Sequence, residues 1–120
     1  MTHILIIDDS PTEVHILKAM LEKNSFQVSS ASTGEEGIEM AKDLLPDLIL
    51  MDVVMPGMNG FQATRKLSKD PDTENIPVVI VTTKDQATDR VWGLRQGAKE
   101  YLTKPAKEAD LLAKIKLLLG

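Results

Sequence analysis

The chain has 120 residues with no cysteine, 27% of them charged, and a formal net charge of −4. That length makes one domain with a real core, expected to span residues 1–120 with no effector domain attached. Acidic balance without a basic run argues against a nucleic-acid surface, and no apolar run nears the roughly 20 residues of a spanning helix or follows a leader pattern, so a cytoplasmic protein without membrane insertion is expected.

Ile4 to Ile7 is the first short apolar run. Ser10-Pro11-Thr12-Glu13 then opens a helix, with Ser10 as cap, Pro11 in the first turn and Glu13 closing a capping box. Val14, Leu17 and Leu21 give that helix its buried stripe, flanked by Ile16 and Met20. Phe26 to Ala31 is less apolar, as suits an edge strand. A second capping box, Thr33 to Glu36, starts a helix that buries Ile38, Ala41, Leu44 and Leu45. Leu48 to Met51 is continuously apolar, the mark of a strand covered on both faces. Pro56 to Gly60 turns into a helix carrying Phe61, Thr64 and Leu67. Val78 to Val81 is the fourth strand, followed by a helix that uses Ala87, Val91 and Leu94 and stops at Gly97. Tyr101 and Leu102 sit in a fifth strand, and a last helix buries Leu111, Ile115 and Leu118.

Five alternations of strand and helix with short connections imply right-handed crossovers and a parallel sheet covered on both sides. The economical topology is a doubly wound, flavodoxin-like α/β sheet in the order 2-1-3-4-5. In such sheets ligands bind beyond the carboxyl ends of the strands. Polar residues stand at four of those ends: Asp8 and Asp9, Asp52, Thr82 and Lys104. Any one of them could simply begin a loop; together they read as one site.

Three converging carboxylates repel by about 4 kcal/mol per pair at 4 Å and an effective dielectric near 20. Lys104 supplies one counter-charge, and a hard divalent cation such as Mg²⁺, held by carboxylates, water and a phosphate oxygen, supplies the rest. His3 and His15 read as ordinary solvated residues. A cation, a lysine and a hydroxyl around one carboxylate are what phosphoryl transfer requires, since its catalysis is mostly positioning and charge neutralisation. Asp52 is the natural acceptor of an aspartyl phosphate. Asp9 and Asp52 would hold the metal, Asp8 would orient it largely through water, and Thr82 and Lys104 would take the remaining phosphoryl oxygens.

The segments DDSP, LMDVVMPGMNG, VIVTT and EYLTKP resemble the response-regulator receiver domain of bacterial two-component signalling over essentially the whole chain. The resemblance implies Asp52 as phosphoacceptor, Asp8 and Asp9 as the acid pair, and Val54 giving its backbone carbonyl to Mg²⁺, for which Mn²⁺ can substitute. It also implies Thr82 and Tyr101 as a switch pair, Lys104 as phosphate partner, and a cis bond at Lys104-Pro105. Such a protein is a phosphoacceptor rather than an enzyme with turnover. Its partners would be a histidine kinase or phosphotransfer domain, and a downstream target at the face of helix four, strand five and helix five. More narrowly, DDSPTE, VMPGMNGFQATRKL and VTTKDQATDRVWGLRQGAKEYLTKP are similar to single-domain chemotaxis-like regulators of type IV pilus twitching motility, the PilH type. Asn59, Lys84 and Ala106 depart from the commonest receiver pattern, where Asp, Glu and Phe are frequent, and bear on phosphoryl lifetime and output surface. A phosphate sink for the same pathway and a phosphorylation-independent scaffold are the alternative roles. A flavin carrier would bring its phosphate against Asp8 and Asp9, and a haloacid-dehalogenase-like phosphatase would need a DxD spacing rather than adjacent acids.

Overall fold

The computed structural model describes all of residues 1–120. The elements are β1 (His3–Ile7), α1 (Pro11–Lys23), β2 (Gln27–Ala31), α2 (Gly34–Leu44), β3 (Leu48–Met51), α3 (Gly60–Lys69), β4 (Val78–Thr82), α4 (Ala87–Arg95), β5 (Glu100–Thr103) and α5 (Glu108–Leu119). Every strand pairing is parallel and the order is β2-β1-β3-β4-β5, as expected from the alternation. Successive strand residues point to opposite faces, so the apolar runs feed two separate cores. Leu5, Ile7, Ile49, Met51 and Ile80 pack with Ala41, Ala63 and Leu67 of α2 and α3. Ile4, Ile6, Leu48, Leu50, Val79 and Val81 pack with Leu17 and Leu21 of α1 and Leu111 and Ile115 of α5.

Expected burials differ at two helices. Leu44 and Leu45 are exposed, because α2 ends there on a left-handed Leu45 that turns the chain out of the helical stripe. Ile16, expected to flank the stripe of α1, is exposed. On α4 the whole expected stripe is on the surface: Ala87, Val91 and Leu94 are exposed, and Gly93 alone is buried. The cause lies beneath the helix. A Cβ on Gly93 would stand 2.8 Å from Ile80 Cδ1 and 3.2 Å from ring atoms of both Phe61 and Tyr101. Those side chains already fill the space, so the inward position takes a residue without one and the aliphatic residues face outward.

The helix starts also differ in detail. Ser10 Oγ accepts from the Glu13 N–H at 3.3 Å, but the Ser10 N–H donates to Asp8 Oδ1 at 2.9 Å rather than to Glu13, so the box is only half closed. Thr33 caps α2 in the same one-sided way, since Glu36 Oε1 takes the Ser32 N–H instead. The reciprocal box occurs on α3, where Asn59 and Gln62 exchange both bonds at 2.9 and 3.0 Å. That box aims the start of α3 at the end of β3. His3 is not simply solvated, because its Nε2 lies 2.8 Å from Ser29 Oγ.

Candidate functional site

The site forms where the carboxyl ends of β1, β3, β4 and β5 meet, and backbone bonds extend the sheet into it. The Asp8 N–H donates to Ala31 O at 3.0 Å, Asp52 N–H to Ile7 O at 2.9 Å, and Lys104 N–H to Thr82 O at 2.8 Å. Each of these three residues is therefore the first past its strand, still held in register with the neighbouring strand, while Thr82 is the last residue of β4. Asp8 and Asp52 are buried, while Asp9 is exposed. Carboxylate oxygens of Asp8, Asp9 and Asp52 all lie within 4.8 Å of one another.

Lys104 reaches into this group, with Nζ 2.8 Å from Asp8 Oδ2 and 3.7 Å from Asp52 Oδ2. Its side chain is only 8% exposed, so carboxylates rather than water satisfy the ammonium. The Lys104-Pro105 peptide bond is cis, as the family resemblance implied. Thr82 is fully buried, and its Oγ1 accepts a long bond from the Lys84 N–H at 3.4 Å.

Electrostatics follow from this packing. Burial pushes the Asp52 carboxyl above the usual range; the Lys104 ammonium pulls it back, and the Asp8 charge pushes it up again. Burial alone would lower Lys104, but its bond to Asp8, followed by the charges of Asp52, Asp8 and Glu13, holds the ammonium above its ordinary value. The result is a charged lysine amid a carboxylate group still short of positive charge.

Tyr101 does not line the carboxylate cluster. Its ring is 3% exposed in the core on the α3 and α4 side, and its hydroxyl donates to the Lys84 carbonyl at 2.8 Å. Burial is the main reason its pKa is pushed up to about 12. The Arg90 guanidinium donates to the Tyr101 carbonyl at 3.2 Å, so α4 and β5 are joined through this residue. Val54 has a 58% exposed side chain at the rim, and its carbonyl accepts no backbone hydrogen bond. Trp92 is half exposed on α4.

Two residues of the site were not singled out from sequence. Gly60 starts α3 so close to the end of β3 that a Cβ there would stand 1.9 Å from the Asp52 carbonyl oxygen, and its N–H donates to Val53 O at 2.9 Å. Only a residue without a side chain permits that approach. The other is Glu13, whose carboxylate lies 3.9 Å from Lys104 Nζ. A signal existed for the second: Asp8 stands two residues before Ser10, and an aspartate at that spacing commonly takes the N–H that a capping box would use.

Comparison with known proteins agrees with this geometry. Residues 4–116 match the response regulator receiver domain family. The chain is 60% identical over 120 residues to protein PilH of Pseudomonas aeruginosa, covering all of this chain and 99% of that one. Among solved structures, chemotaxis protein CheY4 of Vibrio cholerae superposes with a TM-score of 0.92 at 27% identity, covering 99% of both chains. The receiver domain of the sensor histidine kinase PA1611 of Pseudomonas aeruginosa has a TM-score of 0.92 at 28% identity, covering 99% of this chain and 98% of that one. It carries a magnesium ion coordinated in its active-site cleft.

Proposed function

The chain belongs to the response regulator receiver family, and we propose on that premise that it accepts a phosphoryl group from a phosphohistidine donor onto Asp52 and signals by phosphorylation-dependent protein binding. The observation that carries this reading is Lys104 held between Asp8 and Asp52 at the carboxyl edge of the sheet. In the transfer, a bond forms between Asp52 and phosphorus as the phosphorus–nitrogen bond of the donor breaks. The imidazole leaves with the electron pair and takes a proton, and nothing is oxidised or reduced. Asp52 Oδ1 is engaged by the Val53 N–H at 2.8 Å, which leaves Oδ2, the oxygen nearer Lys104, as the nucleophile.

The donor set fits Mg²⁺: oxygen only, clustered, and short of positive charge. Asp8, Asp9, Asp52 and the Val54 carbonyl would hold it, with Mn²⁺ as a substitute. When bound, the metal neutralises charge on the phosphoryl oxygens. Lys104 gives those oxygens a second cation, and Thr82 offers a hydroxyl from the next strand. The switch pair is Thr82 and Tyr101, joined through the segment that carries Lys84: its N–H reaches Thr82 and its carbonyl accepts from Tyr101. Movement of Thr82 toward a phosphoryl group would therefore be felt at Tyr101, Arg90 and the face of α4, β5 and α5.

The chain would work as a stand-alone regulator in the cytoplasm, in a chemotaxis-like or pilus twitching-motility pathway. Support for that comes from its full-length match to PilH. Incubation with a phosphorylated kinase or acetyl phosphate in Mg²⁺ should add the mass of one phosphoryl group, lost on acid or hydroxylamine treatment and absent from Asp52→Asn. Persistent acid-labile labelling of that variant would place the acceptor elsewhere.

A further inference from the structure

Glu13 has left its expected task. The Ser10 N–H that it would have capped is taken by Asp8, so its carboxylate accepts no hydrogen bond from elsewhere in the chain. The half-closed box still fixes where Glu13 stands, because its own N–H is bound to Ser10 Oγ and Ser10 is bound to Asp8. From that position its Oε2 lies 3.9 Å from Lys104 Nζ, against 3.7 Å for Asp52 Oδ2. An ammonium has three donors. One is used on Asp8 at 2.8 Å, and the two other carboxylates attract it from almost equal distances, each beyond direct hydrogen-bond reach.

We propose that Glu13 is a positioning residue that balances Asp52 for possession of the Lys104 ammonium, and so slows phosphorylation of the resting protein. The inference rests on the phosphoacceptor reading above. During transfer, Lys104 must turn toward the oxygens on which charge gathers, and every interaction that holds it elsewhere is lost in the transition state. Asp8 retains the ammonium at the site whichever way it turns. Glu13 draws it toward the start of α1. Its carboxylate is 36% exposed, so water screens the pull and the effect is modest. Neutralising Glu13 should tip the balance toward Asp52 before the donor arrives.

The test uses the full chain, acetyl phosphate and saturating Mg²⁺, with intact mass reporting the initial rate of Asp52 phosphorylation. Saturation removes any influence of Glu13 on metal affinity. Glu13→Gln, which keeps the shape and the backbone bond to Ser10, should label about two- to fivefold faster than wild type, the range an exposed charge pair allows. Glu13→Asp keeps the charge and should stay within about twofold of wild type on the same basis. In a Lys104→Ala background, Glu13→Gln should have no effect, because its route is through the ammonium. Should that background label too slowly to follow, the Lys104 Nζ resonance in ¹⁵N spectra should move in Glu13→Gln; an unmoved resonance overturns the proposal. So does an unchanged or slower rate with Lys104 present, or equal acceleration without it. Wild type that labels normally beside an indifferent Glu13→Gln removes this inference alone. Wild type that never labels removes the phosphoacceptor reading with it.

Discussion

Replacing Asp52 by Asn should make the fold more stable at neutral pH in the absence of divalent metal, even as it abolishes phosphorylation. Asp52 is buried beside two other carboxylates, each within 4.8 Å. At that distance each like-charge pair costs at least about 3.5 kcal/mol at an effective dielectric of 20, less for the exposed Asp9. The compensating attraction to Lys104 at 3.7 Å is about 4.5 kcal/mol on the same scale. Repulsion and attraction nearly cancel, so the uncompensated desolvation of the carboxylate decides the sign. Asn avoids that cost, retains an oxygen for the Val53 N–H, and leaves Lys104 its closest partner, Asp8. The gain should be about 1–2 kcal/mol, or roughly 5 °C in Tm for a domain of this size.

The pH dependence tests the cause. Asp52 has a folded pKa above its ordinary value of 3.8, so between the two the native state holds a proton that the unfolded chain has lost. Wild-type stability falls as pH rises through that window, and the advantage of Asn grows across it and then levels. Urea titrations at several pH values measure this, and Mg²⁺ at ten times its Kd should return about 1.4 kcal/mol to wild type and little to the variant. An Asn variant no more stable than wild type at pH 7, or a gap insensitive to pH, would refute the electrostatic account of the site.

Tyr101 is the only tyrosine, so alkaline absorbance titration reads it directly; its midpoint should lie near 12, with the fold losing stability as pH rises from about 10, where the unfolded phenol ionises. Tyr101→Phe removes the bond to Lys84 and should cost about 1 kcal/mol in denaturant melts while leaving Asp52 phosphorylation intact and altering partner affinity. On the phosphoacceptor reading, water would reach a phosphoryl group on Asp52 past Val54 and Lys84, and an aliphatic Val54 offers that water no hydrogen bond. Changing them together to Asn and Glu should therefore alter the half-life of the phosphoryl group, and an unchanged decay clears both positions. Gly60→Ala drives a Cβ into the Asp52 carbonyl; melts should show a loss of about 3 kcal/mol or more, with phosphorylation lost because the acceptor loop must move.

The sheet and its order were legible because the three central strands are short apolar runs, the flanking strands are less apolar, and turn or cap signals separate them from the helices. The residues of the site were legible for a related reason: in a parallel sheet the first polar residue after a buried strand falls at the same edge as its counterparts on neighbouring strands. What the capping pattern alone did not give was how side chains divide a shared donor. The SPTE segment fits a capping box by pattern, yet Asp8 lies nearer the same N–H, and the outcome frees Glu13 to face Lys104. Gly60 was legible as a helix boundary but not as the point where α3 touches Asp52, because a close approach is set by two elements distant in the chain.

α4 shows why the output end was harder to read than the chemistry. A stripe of Ala87, Val91 and Leu94 has the period of a buried face, yet the space beneath belongs to Ile80, Phe61 and Tyr101. Period alone cannot tell which residue faces inward when the supporting layer comes from other parts of the chain. The consequence is a helix with one buried residue, a glycine, tied to β5 through the Arg90 bond to Tyr101 and to the site through the Lys84 segment. A helix that buries so little apolar surface resists displacement weakly. Its exposed aliphatic residues and Trp92 then form an apolar surface whose placement depends on the Tyr101 ring. The same packing that defeated the periodic reading thus sets this surface on the ring through which the proposed output route would run.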